Sequence, residues 1–109
     1  MVRAGGIVQV FLRQLSYLIA LDQHRHFSRA AQACGVSQPA LSSAIRQLEN
    51  ELGITIINRN RRFSGLTEEG QRVLAWARQT LADLDSLRQE AAFAQDVAGG
   101  FVSIGVMPQ

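Results

Sequence analysis

Basic and polar side chains that could bind phosphate are concentrated in the first two thirds of the sequence. Residues 1–66 contain eight arginines and three acidic residues, a net charge of +5, whereas residues 67–109 carry a net charge of −3. A basic front joined to an acidic back is typical of a chain whose front binds a polyanion. No Ser/His/Asp set and no Cys/His cluster has catalytic or metal-binding spacing. We therefore expect neither an enzyme nor a metal or cofactor site.

Two short helices joined by a tight turn are predicted to position these side chains. The predicted second helix, which ends at Cys34, is rich in small residues, so another helix can cross it closely. Gly35 can take the left-handed conformation that ends a helix. Ser28 is expected to cap the second helix and Ser37 the third, whose first turn tolerates Pro39. The predicted buried stripe of the third helix consists of four apolar residues, Leu41, Ile45, Leu48 and Leu52.

The face opposite this stripe is predicted to bind duplex DNA. A recognition helix enters the major groove with its N-terminal residues at the base edges, where Gln38 can form two hydrogen bonds to adenine. The short side chains of serine let the backbone of the third helix approach the DNA. The N-terminus of the second helix suits the binding of a phosphate group. The predicted DNA-binding residues are Ser28, Arg29, Ser37, Gln38, Pro39, Ser42, Ser43, Arg46, Arg59, Arg61 and Arg62.

The predicted fold class is mainly α: a winged helix-turn-helix of three helices and a two-stranded wing, followed by a long dimerisation linker helix. The wing is a hairpin of Ile54–Ile57, whose β-branched residues suit a strand, and Phe63–Leu66. The predicted boundaries are a flexible N-terminal arm at 1–10, the winged domain at 11–66, the linker helix at 67–98, and a hinge with the first strand of a further domain at 99–109.

The linker helix should be about 45 Å long, more than so small a domain can cover. Thr67 is its predicted cap, and Gly99–Gly100 is expected to end it. Apolar residues recur in steps of three and four and form a seam, broken by one arginine, that favours pairing with a second copy. The predicted dimerisation residues are Leu74, Ala77, Leu81, Leu84, Arg88 and Ala91.

The stretch 27–53 resembles the signature of LysR-type transcriptional regulators. The segment 56–70 is similar to that family's wing, Leu-Phe-x-Arg-x-x-Arg-x-Val-x-Leu-Thr-x-x-Gly, in both arginines and in its Leu-Thr-x-x-Gly ending. The departures from the family pattern are Arg25 (usually Gly), Ser43 (often basic), Ile57 (usually Phe) and Ser64 (usually Val).

The resemblance implies a sequence-specific, double-stranded DNA-binding regulator of bacterial transcription. Since the sequence has no apolar run near the roughly 20 residues that span a bilayer and no cleavage site after its start, we expect it in the cytoplasm, at the nucleoid and not at a membrane. The resemblance implies a homodimer, often assembled into a tetramer, on an operator of roughly two-fold symmetry. It also implies a C-terminal domain that senses a small molecule and begins where Val102–Val106 stand, so we expect this chain to lack that sensor domain.

Two other classes of function remain open from the residues. The winged helix could serve as a protein-interaction module, with the long helix as a plain coiled-coil dimeriser and no sequence-specific DNA binding. An RNA-binding function lacks the exposed aromatic residues that stack on unpaired bases. Cys34 is interpreted as a structural thiol, and His24 and His26 as surface residues near DNA rather than metal ligands.

Overall fold

Four helices and a two-stranded sheet form the computed structural model, which describes residues 2–59 and 63–104, and the side chains of residues 8–59 and 65–97. The elements are α1 (Val2–His24), α2 (Phe27–Cys34), α3 (Gln38–Leu52), β1 (Ile57–Arg59), β2 (Phe63–Leu66) and α4 (Glu68–Ile104). This arrangement confirms the predicted fold class, a winged helix-turn-helix followed by a long helix. Over the described ranges, no helix combines the length and apolar character needed to cross a bilayer.

The hydrophobic core lies where the first three helices cross. Ala30 and Ala31 of α2 are buried and small, which allows the neighbouring helices to approach closely. The fully buried large side chains of the three-helix core are Leu18, Leu21, Leu41, Ile45 and Leu48. Leu52 is 41% exposed, because it lies in the last turn of α3 where the helix leaves the core, so the predicted stripe is one residue too long.

The turn between α2 and α3 has the predicted geometry. Gly35 takes the left-handed conformation at a φ of 72°, which glycine adopts without steric cost. Its N–H donates to the carbonyl of Gln32 at 3.1 Å. On the other side of the turn, the hydroxyl of Ser37 accepts the N–H of Ala40 at 3.2 Å and caps α3. The recognition helix therefore starts at a fixed position relative to α2.

The cap of α2 differs from the prediction. The helix begins at Phe27, and His26 precedes it in an extended conformation, with its Nδ1 accepting the N–H of Arg29 at 3.3 Å. Ser28 is thus inside the helix, and its prediction as the N-cap is wrong. The physical reason is that the helix begins earlier than predicted, so His26 precedes its first turn and accepts the N–H of Arg29.

Arg25, which stands where the family usually has glycine, ends α1 in the left-handed region. Its φ is 56°, a conformation that costs an L-residue with a Cβ about 1–2 kcal/mol. Its N–H donates to the carbonyl of Leu21 at 2.8 Å, and its guanidinium bonds Asp22 at 3.2 Å. The chain therefore takes a left-handed backbone conformation at this position without the residue type that favours it.

Strands β1 and β2 pair antiparallel, as predicted for the wing. The register shifts between Ile57, which pairs with Leu66, and Arg59, which pairs with Phe63. The strand predicted from Ile54 begins only at Ile57. The N–H groups of Ile56 and Ile57 donate to the side chain of Glu49 instead, so the residues before β1 are held by a carboxylate rather than by a strand ladder.

Both chain ends are helical over longer stretches than predicted. Residues 2–10 belong to α1, so they do not form an arm separate from the first helix, which corrects the predicted boundary at residue 11. Helix α4 continues through Gly99–Gly100 to Ile104, so the predicted end at 98 and the strand over 101–104 are also wrong, while residues 105–109 lie outside the described residues. Gly99 and Gly100 each cost the helix about 1 kcal/mol, but a glycine in a helix keeps its backbone hydrogen bond. A strand after them would have no partner strand and would leave its backbone N–H and C=O groups unpaired.

The first turn of α4 is fixed against the residues that lead into the wing. The hydroxyl of Thr67 donates to the carbonyl of Thr55 at 2.6 Å and accepts the N–H of Gly70 at 2.9 Å, as an N-cap does. The N–H of Thr67 donates to the carbonyl of Ile56 at 2.8 Å. A Cβ at position 70 would collide with that same carbonyl oxygen, so only glycine permits this close approach.

Candidate nucleic-acid interface

The N-terminal part of α3 presents a polar side to solvent, opposite its buried stripe. The side-chain amide of Gln38 donates to the hydroxyl of Ser42 at 3.3 Å, one turn further along the helix. Ser42 is half-buried, and the exposed predicted DNA-binding residues here are Ser37, Gln38, Pro39, Ser43 and Arg46. Five of these six residues therefore lie at the N-cap or in the first two turns of α3, and Arg46 lies in the third turn.

The N-terminus of α2 is a second exposed polar feature. Both predicted DNA-binding residues there, Ser28 and Arg29, are exposed. Because His26 caps the helix, the hydroxyl of Ser28 is not needed for capping. The dipole of a helix favours an anion near such an end.

Arg59 of β1 is placed differently from the prediction. One of its terminal nitrogens, Nη1, bonds Glu49 at 2.8 Å, and the other, Nη2, is buried and lacks a hydrogen-bond partner in the part of the chain that the structure describes. Arg59 is thus engaged within the chain by Glu49, and its predicted DNA contact stays a prediction. Arg61 and Arg62 lie outside the described residues, so their DNA contacts stay a prediction.

Glu49 is the residue that the sequence analysis missed. Its carboxylate accepts the N–H of Ile56 at 2.8 Å, the N–H of Ile57 at 3.0 Å and the guanidinium of Arg59 at 2.8 Å. Burial by itself raises the pKa of this carboxyl, but the bond from Arg59, the two backbone bonds and the arginine charge together lower it. Residues 1–66 contain only three acidic residues, and Glu49 is one of them. An acidic residue in so basic a segment is the sequence signal that could have indicated a structural role for Glu49.

The predicted dimer seam on α4 is partly used within the chain. Leu74 is 9% exposed and Ala77 is 1% exposed, so both are buried without a second copy, which corrects their assignment. Leu81 and Leu84 are half-buried and line, with Arg88, a groove that α4 forms with α1. Ala91 is exposed. Leu81, Leu84 and Arg88 face the first helix because α4 lies along it, a tertiary relationship that helical spacing does not reveal.

Asp22 links α1 to α4. Its carboxylate accepts a hydrogen bond from Arg78 of α4 at 2.9 Å, besides the one from Arg25. The ion pair to Arg78 joins residues 56 positions apart and fixes the long helix to the winged domain, although its exposure keeps its contribution to stability small.

Other groups that could carry chemistry are sparse over the described residues. No set of three His, Cys, Asp or Glu side chains among them could hold a metal ion. The free thiol of Cys34 is half-buried, and burial raises its pKa, which disfavours the reactive thiolate. The accessible polar surface of α2 and α3 is accordingly the feature of this structure best suited to a ligand.

Comparison with known proteins agrees with this geometry. The family model described as "Bacterial regulatory helix-turn-helix protein, lysR family" matches residues 12–71, which run from α1 into the first turn of α4. The DNA-binding transcriptional dual regulator OxyR of Escherichia coli K12 is 41% identical over 97 residues, covering 89% of this chain and 32% of OxyR. The chain thus spans about a third of the length of the curated relatives it matches.

Two solved structures share the fold of this chain. Full-length OxyR from Pseudomonas aeruginosa superposes with a TM-score of 0.71 at 40% identity, over 74% of this chain and 28% of that one. The BenM DNA-binding domain, in a complex with catB site 1 DNA, superposes with a TM-score of 0.71 at 33% identity, over 83% of this chain and 94% of that one.

Proposed function

This chain belongs to the LysR family of bacterial regulatory helix-turn-helix proteins, and we propose that it binds double-stranded DNA sequence-specifically as the DNA-binding part of a transcription regulator. The observation that carries the proposal is the polar N-terminal part of α3, where Gln38 is exposed and bonds Ser42, while Leu41, Ile45 and Leu48 on another side of the helix are fully buried. The BenM relative, solved with DNA, supports the same partner.

Each exposed group has a proposed role in binding. Gln38 reads a base edge in the major groove, where a glutamine amide matches the donor and acceptor of adenine. Ser37, Ser42 and Ser43 permit close approach of the backbone, and Arg46 contacts the flanking phosphates. Ser28 and Arg29 bind a phosphate at the N-terminus of α2. The wing contributes Arg61 and Arg62 to the adjacent backbone or minor groove.

A homodimer is the second part of the proposal. It is supported by apolar side chains of α4 that a single chain leaves in water: Trp76 is 72% exposed, Leu87 and Phe93 are each 64% exposed, and Val97 is 41% exposed. Exposed apolar residues repeated along one helix are typical of an association surface. In the proposed interface these four exposed residues replace Leu74 and Ala77, which are buried within the chain. Leu81, Leu84, Arg88 and Ala91 remain part of the proposed interface.

An apolar groove beside Trp76 adds to this surface. It has a volume of about 270 Å³ and lies between α1, the end of α3 and α4, with Phe11, Leu15 and the partly exposed Leu52 in its lining.

A dimer places two recognition helices on the half-sites of an operator of roughly two-fold symmetry. For the whole protein we propose a transcription regulator of the bacterial cytoplasm. By its resemblance to the family, we propose that it also carries a small-molecule sensor domain and assembles into a tetramer.

The experiment that tests the proposal is a gel-retardation and footprinting assay with duplex fragments of the genome that carries this gene. We expect a protected site with two-fold symmetry, and affinity that falls steeply with salt because phosphate contacts release counterions. Absence of duplex binding at low salt would contradict the proposal and favour the protein-interaction module. Preferential binding of structured RNA in a competition would favour the RNA-binding alternative.

A further inference from the structure

We propose that Gly70 is a positioning residue that sets the half-site spacing of the operator. Because it lacks a Cβ, α4 lies against the residues before the wing at one fixed angle, and this angle sets the distance between the two recognition helices of a dimer. The inference rests on the proposed function, both the DNA binding and the homodimer, and deepens it by assigning what fixes the separation of the two half-sites.

The first turn of α4 lies directly against the backbone that leads into the wing. A Cβ at position 70 would collide with the carbonyl oxygen of Ile56 and would stand 2.9 Å from the Cγ2 of the same residue. That carbonyl accepts the N–H of Thr67 at 2.8 Å, and the hydroxyl of Thr67 donates to the carbonyl of Thr55 at 2.6 Å. The lack of a side chain at position 70 therefore sets how closely α4 approaches this backbone.

Between Ile56 and α4, the helix is the part that has room to move. Ile56 is fully buried, and its N–H donates to the carboxylate of Glu49 at 2.8 Å, so the recognition helix itself holds it in place. The outer side of α4 faces solvent, and Glu68 and Arg72 are exposed there. A side chain at position 70 would therefore displace the start of α4 outward rather than push Ile56 into the core.

A second point of attachment converts this displacement into a tilt. Ala77 is 1% exposed, and the neighbouring Arg78 bonds Asp22 of α1 at 2.9 Å. These contacts follow Gly70 by about 10–12 Å along the helix axis. An outward shift of about 1 Å at position 70, which is the size of displacement that relieves such an overlap, therefore tilts α4 by about 5°.

The tilt matters because α4 also carries the proposed dimer surface. Leu87 of that surface lies about 25 Å beyond Gly70, at about 1.5 Å per residue. Over this length, a tilt of about 5° moves the winged domain by about 2 Å relative to Leu87, and two-fold symmetry doubles the change between the two copies. The resulting change of about 4 Å is close to the rise of one base pair, about 3.4 Å.

The test compares operator spacings. Duplexes that carry the footprinted half-sites at the natural spacing, and one base pair closer or further apart, are titrated by fluorescence anisotropy. For Gly70→Ala we expect the affinity for one altered spacing, relative to the natural one, to rise at least about fivefold, because the tilt relieves deformation that this spacing demands of the DNA. Glu69→Ala, which places alanine at the exposed neighbouring position, is the matched control and should keep the original ratios. A loss of stability alone lowers binding to all three duplexes equally.

A second variant removes an attachment without adding bulk. Arg78→Gln breaks the ion pair to Asp22, so α4 is held less firmly beside Ala77. We expect the preference for the natural spacing over the altered ones to fall by about twofold, in keeping with the modest strength of an exposed ion pair. The lost positive charge acts on all three duplexes alike and cancels in the ratio. This variant decides the question if Gly70→Ala does not fold, as judged by circular dichroism at the assay temperature.

The outcomes separate this inference from the proposed function. Unchanged affinity ratios in a folded Gly70→Ala variant would overturn the spacing role. If that variant does not fold, unchanged ratios in Arg78→Gln would overturn it instead. A protein that stays monomeric or binds no duplex at all contradicts the proposed function itself.

Discussion

The side chains of Gln38 and Ser42 are hydrogen-bonded to each other, amide to hydroxyl at 3.3 Å, on the exposed side of α3. This bond holds the glutamine along the helix in the free protein. Since Gln38 is exposed, its amide can exchange this bond for a contact to DNA at little cost in stability.

Replacement of Gln38 by alanine should relax base choice at one operator position by about 1–3 kcal/mol, the usual size of a bidentate base contact. The free energy of unfolding should change by less than about 0.5 kcal/mol, because the side chain is exposed. The measurement is the affinity for a panel of single-base-pair operator variants. Gln89→Ala, at an exposed position of α4, is the control and should change nothing. Equal weakening on every sequence would contradict the assignment of Gln38 to base readout.

The backbone at position 25 should favour glycine over alanine. Because its φ is positive, Arg25→Gly is expected to be more stable than Arg25→Ala by about 1 kcal/mol, although both variants lose the ion pair to Asp22. Comparing the two variants with each other cancels that loss. Urea unfolding followed by circular dichroism measures the difference, and equal stabilities would show that the left-handed backbone carries no strain.

The turn from α2 to α3 could be predicted from the sequence because its determinants are local. Gly35 and Ser37 act on backbone groups within four residues of themselves. The start of β1 and the contact of Arg59 could not be predicted from the sequence. Both depend on Glu49, which lies seven to ten residues earlier and on another element. The burial of Ala77 likewise depends on where α4 lies in the fold, which helical periodicity leaves open.

Gly70 should not tolerate even the smallest side chain. Alanine is normally the better helix residue, by roughly 0.8–1 kcal/mol over glycine. Here its Cβ would collide with the backbone carbonyl of Ile56, so Gly70→Ala should lower the free energy of unfolding by about 1–3 kcal/mol, as overpacking does. Glu69→Ala, at the exposed neighbouring position, should cost only a few tenths of a kcal/mol. A stabilised Gly70→Ala variant would refute the close approach of α4 to the residues before the wing.

Glu49 should make the stability of the fold depend on pH. Because its pKa is lowered in the folded chain, the carboxylate contributes stability above its unfolded pKa, near 4.3, and this contribution is lost as the pH falls through the lower folded pKa. Glu49→Gln should therefore reduce the free energy of unfolding by about 1–3 kcal/mol at pH 7, the size of a lost charged hydrogen bond. The difference from the unchanged protein should shrink below about pH 4.

Urea titrations between pH 3 and pH 7 on both proteins measure this difference. Glu51→Gln is the control, since Glu51 is exposed and the same substitution there should give a nearly constant difference across the range. A Glu49→Gln penalty that stays the same at pH 3 would mean that packing, not the charge, is what the variant loses.

Leu87 should contribute to self-association without contributing to the core. It is 64% exposed on α4. Leu87→Glu should weaken the dimer by at least about tenfold, because an apolar side chain worth roughly 1.5–3 kcal/mol on burial is replaced by a charge. Sedimentation equilibrium measures the dissociation constant, and Gln89→Glu, which adds the same charge two residues later at an exposed position, is the control. An unchanged dissociation constant for Leu87→Glu would exclude this side of α4 from the interface and leave the groove beside Trp76 as the remaining candidate.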